Sequence, residues 1–246
     1  MLTHSQMALA VDVDPTWIGF GGVHGGLLTA LLMRGATPDG STPLAVTAHM
    51  YRPVAPGRIE VEAGPRNGRR TGSVQTWIGD RATALVRVAT DADGPRREPI
   101  RRAAPAPAPL DCPRFDLPPE FVPFAQHLEI RPIDDARPLA GGTEPGYDVW
   151  IRLIEQHGLT PAEQAVVLLD ALPPGLFAVR TTPVLIPTAE FTVHLAPFAA
   201  SPWYRLRHRT TWATDDLCVD ETELFTDSGE LAAQARQLRR ITQPRD

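Results

Sequence analysis

The same order of elements can be read twice along this 246-residue chain, and that repetition constrains the fold more than any single motif. In the first pass, Val23 to Met33 (VHGGLLTALLM) is apolar nearly all round, as expected of a helix enclosed in a core rather than laid on a surface. Four strand candidates follow it, Pro43 to Tyr51, Arg58 to Gly64, Arg70 to Ile78 and Arg81 to Thr90. Turns at Ala55-Pro56-Gly57, Arg66-Asn67-Gly68 and Gly79-Asp80 separate them. In the second pass the helix candidate is Pro161 to Ala171. Thr160 is a good N-cap, Pro161 suits the first helical position, Glu163 completes a capping box, and Pro173-Pro174 stops the helix. Strand candidates Thr188 to Leu195, Trp203 to Thr214, Cys218 to Thr226 and Glu230 to Ile241 follow, the last two joined by the hairpin turn Asp227-Ser228-Gly229. Thr47-Ala48-His49 is echoed by Thr192-Val193-His194. Between the passes, Arg102 to Pro113 (RAAPAPAPLDCP) has the composition of an extended, semi-rigid linker.

One apolar helix wrapped by an antiparallel sheet, twice over, predicts an α+β chain of tandem hotdog layout. The expected division is residues 1–101, a linker at 102–113, and residues 114–246. The 43% apolar content supplies a core, and the net charge of -5, carried on the basic side by arginine alone, gives no footprint for nucleic acid. Cys112 and Cys218 are too isolated for a disulfide framework or a zinc site. No stretch approaches the ~18 apolar residues of a membrane span. The first residues have neither the basic segment nor the apolar run of a signal peptide. The expectation is a cytoplasmic protein without membrane partner, metal or cofactor. A Gly-x-Ser-x-Gly elbow, a phosphate-binding loop and a metal-spaced His/Cys/carboxylate cluster are all missing from the sequence.

A few residues break the local pattern. Asp170 closes the apolar run Val166-Val167-Leu168-Leu169 at the C-terminal end of its helix, where a carboxylate opposes the negative end of the dipole. It is either a solvated edge residue or a functional one. Thr188, after Pro187 at a strand start, and Gln237, in the last strand, read on their own as an ordinary β-former and a solvent-facing amide. His24-Gly25-Gly26 opens the first helix. Two glycines there either bring a ligand close to free N–H groups or allow close packing.

Taken together, these segments resemble the double-hotdog acyl-CoA thioesterases of the bacterial thioesterase II type, over roughly Gly19 to Ile241. The resemblance rests on Gly19-Phe20-Gly21-Gly22, His49-Met50-Tyr51-Arg52-Pro53, Val61 to Val74, and Val149-Trp150-Ile151-Arg152-Leu153. It continues through Leu169-Asp170-Ala171-Leu172-Pro173-Pro174, Pro187 to His194, and Gln237-Leu238-Arg239-Arg240. The Pro-rich connection departs from the family's usual one. The resemblance implies hydrolysis of an acyl-CoA substrate by a water held between Asp170, Thr188 and Gln237. The hydroxyl falls on Thr188 rather than Pro187 because the following residues then match. It implies an oxyanion or CoA contact at His24, Gly25 and Gly26, and a homodimer or larger homo-oligomer. Matching the two passes sets Met33 opposite Asp170 and Pro43 opposite Thr188, and Leu85 to Thr90 holds no glutamine. The first half is therefore expected to be catalytically empty. Two alternatives stay open. One is a non-catalytic binder of acyl thioesters. The other is a hotdog hydratase or dehydratase acting on CoA- or carrier-bound acyl groups, which would pair an Asp or Asn with a His. The sequence shows no such pair near Asp170, since His157 precedes the helix.

Overall fold

The computed structural model describes residues 6–90 and 101–242. Two helices, α1 (Gly25–Ala36) and α2 (Pro161–Leu169), are wrapped by strands β1 (Gln6–Val13), β2 (Thr42–Met50), β3 (Gly57–Ala63), β4 (Thr71–Ile78) and β5 (Ala82–Ala89). The second half supplies β6 (Leu128–Pro132), β7 (Gly146–Leu153), β8 (Thr188–Leu195), β9 (Tyr204–Ala213), β10 (Leu217–Thr226) and β11 (Leu231–Arg240). All of them join one antiparallel sheet of order β1-β3-β4-β5-β2-β8-β11-β10-β9-β7-β6. The first five positions are mirrored by β8-β11-β10-β9-β7, and β6 is an extra edge strand. This is the tandem hotdog that the repeat predicts.

The halves meet at β2 and β8, where Thr47 lies opposite Thr192 and the Thr192 hydroxyl donates to Thr47 Oγ1 at 3.1 Å. These are also the threonines of the repeated tripeptide, so a pseudo-two-fold axis passes through that pair. The register extends the correspondence. Val86 pairs with Val46 and Val74, while Gln237 pairs with Phe191 and Asp220. Pro43 pairs with Val88 beside a bulge, and Thr188 pairs with Arg239 beside a bulge.

The eight predicted strands fall within one residue of their expected bounds at every end. Three further strands were not expected. β1 hides in a segment read only for targeting signals, although Leu9, Val11 and Val13 alternate there toward the core. β7 carries the Val149-Trp150-Ile151 run, and β6 pairs with it. Both helix bounds are corrected. α1 starts at Gly25, since His24 is its N-cap, and continues past Met33 to Ala36. α2 starts as predicted, with both bonds of the capping box formed. It stops at Leu169 rather than Ala171, leaving Asp170 as the C-cap.

The helices pack antiparallel in the shared core. Gly26 of α1 abuts Val167 and Asp170 at one end. At the other, the Arg34 guanidinium donates to both oxygens of Glu163, at 2.7 and 2.6 Å. The repeat places Met33 and Arg34 opposite Asp170 and Ala171, so this ion pair stands where the first half would have its own copy of the Gly26–Asp170 contact. Residues 102–113 run along the second half. Ala103 N–H donates to Gly229, the Trp150 indole donates to the Pro107 carbonyl, and Cys112 packs with Trp150 and Trp203. Among the described residues, no helix is long and apolar enough to cross a membrane.

Candidate active site between the two helices

The Asp170 carboxylate is almost fully enclosed, its side chain 8% exposed. Although it caps the negative end of α2, it points to the start of α1, where Gly26 N–H donates to Oδ2 at 2.7 Å. The dipole it feels most closely is therefore the positive end of the opposite helix, which favours a negative charge. Glycine is required for this approach. A Cβ on Gly25 would stand 2.8 Å from Oδ2. One on Gly26 would stand 3.0 Å from both Asp170 Cβ and the Val167 carbonyl oxygen, and 2.7 Å from His24 Cε1. Both glycines permit this close packing, and the Gly26 N–H is engaged by Asp170. Gly26→Ala is expected to push the helices apart and lower stability by about 1–3 kcal/mol, read as a drop in melting temperature.

The other carboxylate oxygen, Oδ1, accepts from Gln237 Nε2 at 2.5 Å. Gln237 is fully buried rather than solvent-facing, because Ala233, Ala235, Gln237 and Arg239 alternate along the inner face of β11. Its second amide hydrogen reaches Thr188 Oγ1 at 3.3 Å. Its Oε1 accepts from Arg239 Nη2 at 2.8 Å, which fixes the amide orientation because a guanidinium only donates. Arg239 Nη1 donates to Thr188 Oγ1 at 3.1 Å. The register of β8 against β11 slips between Leu238 and Arg239, leaving Ala189 as the extra residue. Such a bulge re-aims the side chain beyond it, and here it brings Thr188 to the inner face. The choice between Pro187 and Thr188 in the sequence falls at this slip.

His24 also reaches the site. Its Nδ1 accepts from Leu27 N–H at 3.3 Å, so its proton sits on Nε2, which donates to the Asp170 backbone carbonyl at 2.9 Å. The same Nε2 lies 3.5 Å from Asp170 Oδ2, and the ring stacks on Phe124 at 4.1 Å between centroids. The expectation that no histidine neighbours Asp170 is therefore corrected. The partner comes from the other half of the chain, invisible to a search along one helix and its loops.

Behind the site lies a polar cluster that the sequence reading did not single out. Arg239 Nε stands 2.6 Å from Asp220 Oδ2 as an ion pair rather than an aligned hydrogen bond. Thr210 donates to Asp220 Oδ1 at 2.5 Å, and His208 Nε2 lies 3.5 Å from Oδ2. Burial works against the Asp220 charge, but His208, Arg239 and the Thr210 hydroxyl outweigh it and hold the carboxyl well below the usual carboxylate range.

Residues 13–92 match the N-terminal domain of acyl-CoA thioesterases, and residues 103–241 match the C-terminal domain. The chain belongs to the acyl-CoA thioesterase family. No curated protein matches it. Among solved structures, a candidate thioesterase II from Thermobifida fusca YX is 25% identical with a TM-score of 0.80, over 95% of this chain and 92% of that one. A conserved hot dog protein of unknown function from Alicyclobacillus acidocaldarius is 22% identical with a TM-score of 0.82, over 96% and 93%. The dehydratase domain of PpsC from Mycobacterium tuberculosis, in complex with C12:1-CoA, is more distant, at 15% identity and a TM-score of 0.53 over 95% and 92%. In this acyl-CoA thioesterase family member, Asp170, Thr188, Gln237, His24, Gly25 and Gly26 all converge where the two helices meet.

Proposed function

We propose that the protein hydrolyses acyl-CoA to a free carboxylic acid and CoA, with Asp170 as general base. The observation that carries this reading is the placement of a nearly enclosed carboxylate and a threonine hydroxyl on the two hydrogens of one buried amide, Gln237. Each oxygen of Asp170 keeps a lone pair beyond the bond it accepts from Gly26 or Gln237. A water beside it gives its proton to the carboxylate as its oxygen attacks the thioester carbonyl carbon. The carbonyl electron pair moves to oxygen, then returns as the carbon–sulfur bond breaks, and the thiolate of CoA takes up the proton from Asp170. Holding the water in line makes the encounter nearly unimolecular. Among the described residues, Gly25 N–H has no hydrogen-bond partner, and in this reading it faces the developing oxyanion.

Just beyond Asp170, Leu172 and Pro173 line a small apolar recess of about 20 Å³ with Phe115, Leu117, Ile130 and Val149, room for about one water, so an acyl chain entering there would have to widen it. In the same reading residues 1–101 form the half without catalytic groups and residues 114–246 carry them.

The closeness of His24 and Asp170 favours a second reading, hydration or dehydration of an acyl thioester. Against it, both ring nitrogens of His24 are engaged by backbone groups and the residue is buried. Incubation with a panel of acyl-CoAs, following thiol release, separates the two. Thiol release across saturated chain lengths is the expected result. A change in enoyl thioester absorbance with no free thiol would replace the hydrolase with a hydratase. Tight binding with neither signal would leave a binder.

A further inference from the structure

We infer that Arg239 is a positioning residue for this site, and that it turns the Thr188 hydroxyl into a hydrogen-bond donor toward the attacking water. The inference rests on the thioesterase reading and extends it. A hydroxyl has one hydrogen and two lone pairs. Both lone pairs of Thr188 are taken, by Gln237 Nε2 at 3.3 Å and by Arg239 Nη1 at 3.1 Å. Its hydrogen is therefore the part left to offer. Gln237 is the reverse case. Both amide hydrogens are committed, to Asp170 and Thr188, and Arg239 holds its oxygen. Gln237 then works as a spacer between the base and the hydroxyl. The water contacts that remain are acceptance by Asp170 and donation by Thr188.

The plainer account of Arg239 is that it only neutralises buried Asp220. Two observations count against it. A guanidinium serving one carboxylate usually presents two parallel N–H groups to it. Here a single nitrogen, Nε, faces Asp220, and both terminal nitrogens face Thr188 and Gln237, with Nη2 also 3.6 Å from Asp170 Oδ1. The second observation comes from the pseudo-symmetry. The strand register sets Val86 opposite Gln237 in the repeat, Val88 opposite Arg239 and Val74 opposite Asp220, and all three valines are buried. The half that lacks the Asp, the Thr and the Gln also lacks the Arg–Asp pair, and it makes the same sheet without it. The pair therefore accompanies the site, not the fold.

Kinetics of folded variants with acyl-CoA test this. Arg239→Lys keeps a cation beside Asp220 but cannot span Thr188 and Gln237. It is expected to lower kcat about 10–100-fold, as a misplacement of about 1 Å in a reacting group does, with KM within about threefold. Asp220→Val with Arg239→Val copies the emptied half at these two positions and removes both members of the ion pair together. Replacing a buried ion pair in this way is often neutral for stability, so this variant should fold and show the same loss. Arg239→Lys in a Thr188→Val background should cost less than it does in the native chain, because its partner is already gone. Native kcat in either folded variant would overturn the inference, as would losses that multiply with Thr188→Val. Asp170→Asn run beside them keeps the two claims apart. Thiol release by the native protein that is lost in Asp170→Asn upholds the thioesterase reading whatever Arg239 does. No release by the native protein overturns both.

Discussion

Asp170→Asn should reduce kcat for acyl-CoA hydrolysis by about 10²–10⁴-fold, the range a positioned general base supplies. Asparagine has nearly the same shape, so the helices keep their contact, but it has one acceptor oxygen where the carboxylate has two. In the native site one oxygen receives Gly26 N–H and the other receives Gln237 Nε2. Whichever way the new amide turns, its nitrogen faces one of these donors, and a buried donor without acceptor costs about 1–3 kcal/mol. The variant should therefore melt at a lower temperature as well as turn over slowly. The two effects are separated by measuring kcat at a temperature where circular dichroism shows both proteins folded. A folded variant with native kcat would remove Asp170 from the chemistry.

Met33→Ala, at the matching position of the other helix, should do the opposite. Met33 is fully buried, and truncating a core methionine costs about 2–5 kcal/mol through lost transfer energy and the cavity left behind. Denaturant unfolding should show that loss, while kcat per folded molecule stays at the native value. The contrast follows from the repeat. At one end of the helix pair a carboxylate meets a backbone N–H across bare glycine. At the other, an ion pair between Arg34 and Glu163 occupies the equivalent place. A collapse of kcat in folded Met33→Ala would mean that the first half is not the empty one.

The helices and most strands were legible because their signals are local: a capping box before α2, an apolar cylinder at α1, and turn residues at regular spacing. The segments missed were those without a boundary signal of their own, β1 beside the N-terminus and β6 and β7 after the Pro-rich stretch. Within the site, Asp170 announced itself by ending an apolar run with a charge. Gln237 did not, because its meaning depends on which face of β11 is inward. The alternation with Ala233 and Ala235 carried that information. Arg239 follows in the same alternation and was open to the same argument. The neighbourhood of His24 and Asp170 had no sequence signal at all, since 146 positions separate them and only the packing of one helix end on another brings them together.

The β2–β8 seam has a consequence for how the site is assembled. When two separate subunits each supply half of a site, the fraction of complete sites falls as the protein is diluted. Here Gly26 and Asp170 sit on one polymer, clamped by strand pairing between Ala45 and His49 on one side and Glu190 and His194 on the other. Their meeting is an intramolecular event, governed by a fixed effective concentration rather than by how much protein is present. Dilution leaves that junction intact, because no second chain is needed to bring Gly26 to Asp170.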